Sequence, residues 1–114
     1  MPAKLGKVYL IGAGPGDPKL LTLRAVELLR LADVVLYDGL VNPSVLVHVQ
    51  ANCEQICVGK HGQSRHWTQA EIDDQLVDFA KRGKIVARLK GGDPAVFART
   101  AEELDRLVRE SIPF

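Results

Sequence analysis

The chain has 114 residues, long enough to bury a single core but hardly two. Apolar residues make up 46% and charged residues 25%, as in an ordinary globular domain. Fifteen basic against fourteen acidic side chains leave a net charge of +1, which implies no polyelectrolyte partner such as nucleic acid, and no apolar run approaches the roughly 18 residues that span a bilayer.

The first segment, Met1 to Lys7, shows no apolar signal stretch behind its positive charges. A buried strand is expected at Val8–Ile11, breaking into Gly12-Ala13-Gly14-Pro15-Gly16-Asp17-Pro18. Thr22 is placed to cap a first helix, with Leu23, Val26 and Leu29 on one face at i, i+3 spacing. A second strand reads as Val34–Tyr37, ending on Asp38. Asn42 before Pro43 is an N-cap with proline at the first helical position, opening a short helix to about Val49. The same proline disqualifies Asn42-Pro43-Ser44 as a glycosylation acceptor, and with no leader the expectation is a cytoplasmic protein.

Cys53 lies beside, and Cys57 within, a third expected strand, Gln55–Val58. Their spacing is neither Cys-x-x-Cys nor a zinc knuckle, and no His pair stands near, so they read as reduced cysteines and no metal is expected. Thr68-Gln69-Ala70-Glu71 is a capping box leading into an apolar stripe, Ile72, Leu76 and Phe79, with Gly83 at the C-cap position. Trp67 just before it reads as a packing residue. A fourth strand, Ile85–Leu89, breaks into Gly91-Gly92-Asp93-Pro94. Thr100-Ala101-Glu102-Glu103 has the form of a second capping box, ahead of Leu104, Leu107 and Val108.

Strands alternating with helices predict an α/β fold, a parallel sheet with helices on both faces in three α/β/α layers. Residues 1–114 then form a single α/β domain. The final Ser111-Ile112-Pro113-Phe114 reads as the entry to another element, and a βαβ series closes on a strand, so a longer protein is expected.

Two Gly-rich turns at the carboxyl ends of two strands can bring bare backbone N–H groups to one ligand. A dinucleotide is one candidate, since Gly12-x-Gly14 follows a strand and Asp38 stands near the usual place of a ribose-binding acid, about 20 residues on. Against it, the third glycine position is Asp17, and Pro15 and Pro18 remove N–H groups that a pyrophosphate would need. The Walker A pattern fails on spacing, with no Ser or Thr after Lys19. Acidic, glycine-rich turns suit a cationic or zwitterionic ligand, and S-adenosylmethionine, with its sulfonium and ammonium, fits. Asp17 and Asp93 also suit a second role, capping the helices that follow them.

Taken in order, Gly12–Pro18, Leu20–Ala25, Ala32–Asp38, Val58-Gly59-Lys60 and Arg88–Pro94 resemble the tetrapyrrole methylase family. The resemblance covers nearly the whole chain. It implies the amino-terminal domain of a two-domain methylase, a homodimer, with the methyl donor bound between domains. By position it assigns Pro15, Gly91, Gly92, Asp93 and Val96 to S-adenosylmethionine, Asp38 to proton acceptance and Lys60 to proton donation. The implied reaction is C-methylation of uroporphyrinogen III toward precorrin-2, on the route to sirohaem and cobalamin, with no nucleic acid or membrane partner. A substrate with eight carboxylates needs positive charge, and His61, Arg65, His66, Lys90 and Arg99, beside Lys60, are the candidates.

The sequence departs from the family pattern at Gly39, where arginine is usual, at Ala95, where an aromatic is usual, and in Phe97-Ala98-Arg99-Thr100, where Phe-Gly-Arg-Gly is usual. These changes leave open a later precorrin methylase. Relatives that methylate ribosomal RNA or a diphthamide precursor fit less well, given Tyr37-Asp38 and Gly59-Lys60. From other classes, a nicotinamide-dependent oxidoreductase and a non-catalytic binding domain also stand.

Overall fold

The computed structural model describes residues 4–13, 19, 21–38, 41–58, 67–91 and 96–114, with the backbone alone for 96–99. Among the described residues, four parallel strands form one sheet: β1 (Lys7–Gly12), β2 (Val34–Tyr37), β3 (Glu54–Cys57) and β4 (Ile85–Lys90). Their spatial order is β1-β4-β2-β3, so β4, last in the chain, lies between β1 and β2. The predicted α/β class is observed.

Alternation along the strands sends neighbouring side chains to opposite faces. Val8, Val34, Leu36 and Val86 pack on one face under α2 (Gln69–Lys81) and α3 (Val96–Arg109), with Ile72, Leu76 and Leu107. Ile11, Val35, Ala87 and Leu89 pack on the other face with Ala25, Leu28 and Leu29 of α1 (Leu23–Leu31), and with Val45 of a 3-10 helix (Pro43–His48). The two cores give the three layers. Trp67 packs half-buried against the α2 face, as expected of a packing residue.

The helix signals hold at three of four starts. The Thr22 hydroxyl accepts from the Ala25 N–H, Asn42 Oδ1 accepts from the Ser44 N–H, and Thr68 and Glu71 bond reciprocally in a full capping box. α2 closes as a Schellman turn. Gly83, at φ 83°, donates to the Ala80 carbonyl, and Lys84 donates to the Phe79 carbonyl. The same turn ends α3, with Ser111 at φ 58° where glycine is usual.

Two expectations are corrected. Leu23 is 84% exposed, and α1 turns Ala25, Leu28 and Leu29 inward instead. An i, i+3 row drifts about 60° per step on a helix of 3.6 residues per turn, so Leu23 lies about 120° from Leu29. The second capping box does not exist, because α3 begins at Val96 and carries Thr100 and Glu103 within it. Glu103 is fully buried against the sheet.

Both cysteines are free, Cys53 buried and Cys57 half-buried. Burial pushes the Cys53 thiol up, with Asp33 and Glu54 acting the same way. At the amino edge of the sheet, Asp33 ties three strands together. Its N–H donates to the Ile85 carbonyl, its carboxylate accepts from the Ile85 N–H, and its carbonyl accepts from the Glu54 N–H.

Gly6, just before β1, crosses the Lys84 peptide so closely that an added Cβ would lie 1.8 Å from the Lys84 oxygen. Gly6→Ala must therefore push backbone apart. The expected loss is about 1–3 kcal/mol, read as a lower urea midpoint at unchanged slope.

Candidate functional site

The site is built where β1 and β4 end side by side. Gly12 is in register with Lys90, so both Gly-rich turns leave the sheet as neighbours. The Lys90–Gly91 peptide is held on both sides. Its carbonyl accepts from the Ala13 N–H at 2.7 Å, and its N–H donates to Asp38 Oδ2 at 3.1 Å. Asp38 stands just past the end of β2, which pairs with β4, so its half-buried carboxylate meets the turn directly.

This geometry changes one expectation. The N–H groups of Ala13 and Gly91 are engaged within the protein and are not bare donors for a ligand. What the described start of the crevice offers is glycine backbone and a carboxylate. A Cβ added at Gly12 would meet no described atom within 4 Å, so packing does not require glycine there. Open backbone beside an acid fits a sulfonium ligand better than a phosphate.

Behind the turn, β4 places Arg88 and Lys90 on the same face, since they are two residues apart. Both side chains are buried, at 4% and 6% exposure. Glu103 of α3 answers them: Oε2 lies 3.3 Å from Arg88 Nε, and Oε1 lies 3.1 Å from Lys90 Nζ. The latter two atoms meet as an ion pair, with no other hydrogen-bond partner among the described residues. Gln69, the first residue of α2, donates to Glu103 Oε2 at 3.0 Å. Burial pushes the Lys90 ammonium down from the usual lysine range, against the pull of Glu103, and Arg88 adds to the lowering.

Of the predicted site residues, Asp38 and Gly91 are therefore in direct contact. Lys90, expected among the substrate-facing cations, instead has its charge paired inside the domain. Val96 opens α3 and Arg99 lies in its first turn. Pro15, Asp17, Lys60, His61, Arg65, His66, Gly92 and Asp93 lie outside the described residues. Sequence reading missed Glu103 as the partner of two strand cations. The signal was present, since charges at alternate positions of an apolar strand demand a buried acid. Among the described residues no three His, Cys, Asp or Glu side chains gather to hold a metal, and no helix is long and apolar enough to cross a membrane.

These features define a doubly wound parallel α/β fold, a class that takes its ligands at the carboxyl edge of the sheet. Residues 7–114 match the family of tetrapyrrole (corrin/porphyrin) methylases, and the chain belongs to that family. A relative from Methanosarcina barkeri, an S-adenosyl-L-methionine-dependent uroporphyrinogen III methyltransferase, is 53% identical over 100% of this chain and 45% of its own length. A sirohaem synthase from Ectopseudomonas mendocina is 51% identical over 99% of this chain and 24% of its own. The crystal structure of a uroporphyrin-III-C-methyltransferase from Thermus thermophilus is 49% identical, with a TM-score of 0.80 over 96% of this chain and 45% of that one. Its complex with S-adenyl homocysteine gives 48% identity and a TM-score of 0.75 over 95% and 42%. The chain thus spans less than half the length of these relatives.

Proposed function

We propose that the chain is the amino-terminal domain of a two-domain S-adenosylmethionine-dependent methyltransferase that methylates uroporphyrinogen III at carbon, toward precorrin-2. The observation that carries this is the meeting of Gly91 and Asp38 beside the end of β1. It joins the motif read as donor loop to the acid read as proton acceptor. The Thermus relative crystallised with S-adenyl homocysteine supports the ligand class, and the length of the relatives supports a second domain.

The chemistry follows from methyl transfer to carbon. An enamine-like pyrrole α-carbon attacks the methyl in line; the new C–C bond forms as the S–CH3 bond breaks, and its electron pair stays on sulfur, leaving neutral S-adenosylhomocysteine. Positioning two bound molecules supplies much of the rate. A proton must then leave the methylated ring for the product tautomer to form. Asp38 is the proposed acceptor, and Lys60 the proposed donor elsewhere on the macrocycle. His61, Arg65, His66 and Arg99 are proposed to face substrate carboxylates. The active species is proposed to be a cytoplasmic homodimer that needs neither nucleic acid nor membrane.

Titration of the two-domain protein separates the readings. S-adenosylhomocysteine should bind and uroporphyrinogen III should be methylated, whereas residues 1–114 alone should show no turnover. Binding of reduced nicotinamide cofactor in place of S-adenosylhomocysteine would favour the oxidoreductase reading and sink this one. Turnover by the 1–114 piece would refute the split pocket.

A further inference from the structure

We infer that Glu103 is a positioning residue for the Gly91 turn. Three elements converge on its carboxylate. Arg88 and Lys90 come from the strand that leads into the turn, Glu103 itself comes from the helix that leaves it, and Gln69 comes from the start of α2. Glu103 lies two turns into α3 and is fully buried.

Its leverage runs through Lys90. The Lys90 backbone carbonyl is held by the Ala13 N–H, the next N–H is held by Asp38, and the Lys90 side chain is drawn toward Glu103. Those three directions fix the peptide plane on which Gly91 enters the turn. The backbone contacts hold the strand end within the plane of the sheet, to β1 on one side and to Asp38 on the other. The pull from Glu103, on the α2–α3 side, adds a restraint out of that plane. A carboxylate with both oxygens near cations, and a third partner in Gln69, has one defined orientation to transmit. The ligand consequence rests on the methylase reading; the geometric consequence does not.

The test uses E103D, which keeps the charge but draws it back by one methylene, in the two-domain protein. Native-state hydrogen exchange should show the Gly91 amide exchanging roughly tenfold faster, while the Val58 and Glu54 amides of the β2–β3 side keep wild-type rates. S-adenosylhomocysteine should bind roughly tenfold more weakly, because the turn is misplaced. Should E103D fail to fold, K90M removes one cation, leaves Arg88 and Glu103 balanced, and should show the same selective release of Gly91. Equal acceleration of all these amides, or a wild-type rate at Gly91, overturns the inference. Selective release of Gly91 in a protein whose wild type binds no S-adenosylhomocysteine would keep the positioning role and discard the methylase reading.

Discussion

Replacing Glu103 with leucine will cost the domain about 3–5 kcal/mol of folding stability, the loss expected when one member of a buried charge cluster is removed. Leucine fills most of the volume, so the cost is electrostatic. Arg88 and Lys90 remain buried without the acid that pairs with both. The loss should also be pH-dependent, with a definite sign. Unfolded Lys90 keeps its proton up to about pH 10.4, and burial already lowers its folded pKa below that. Without Glu103 the folded value falls further. Between that value and about 10.4 the unfolded chain binds more protons, so the stability of the variant rises with pH relative to wild type. Urea melts of both proteins at neutral and alkaline pH measure the difference. The triple variant R88M/K90M/E103L should recover most of the stability, because an apolar set of similar volume carries no desolvation cost. A single variant as stable as wild type would show that the cluster is solvated.

Asp38→Ala and Asp38→Asn should separate two duties, of which sequence reading assigned only the first. The carboxylate is the proposed proton acceptor, and it also holds the Gly91 N–H. Asparagine keeps an oxygen for that N–H and loses the basicity; alanine loses both. Asparagine should therefore cut turnover roughly 10²–10⁴-fold while leaving S-adenosylhomocysteine affinity near wild type. Alanine should cut turnover at least as far and weaken donor binding as well. Single-turnover methylation with a parallel binding titration gives both readings. Full turnover in Asp38→Asn would remove the base role and leave Asp38 as a support for the turn.

Much of the fold was legible because its signals are local. Capping residues, a C-cap glycine and short apolar runs act within a few residues of themselves, and the structure honours them at Thr22, Asn42, Thr68 and Gly83. What failed was what depends on a distant element. Thr100-x-x-Glu103 has the letters of a capping box, but two cations on β4 claim Glu103. Lys90 looked like a loop cation because nothing near it in sequence shows the acid it meets. Its strand reaches one residue further than expected, and that extension turns it inward. Leu23 was lost to angular drift along the helix. For the site, the sequence brought together the two turns and Asp38, while the bond from Gly91 to Asp38 required the β2–β4 pairing.

That strand order also governs how the domain comes into being. β1 and β2 are not neighbours in the sheet; each pairs with β4. The amino-terminal strand must therefore wait for its partner, since Lys7 finds Ile85 only when β4 has been made. On a ribosome the β2–β3 pair can form early, while β1 stays an apolar segment with open hydrogen-bonding edges. Closure of so distant a pairing is slow and leaves that segment open to association in the meantime. The contact of Gly91 with Asp38 thus requires β4 in place between β1 and β2.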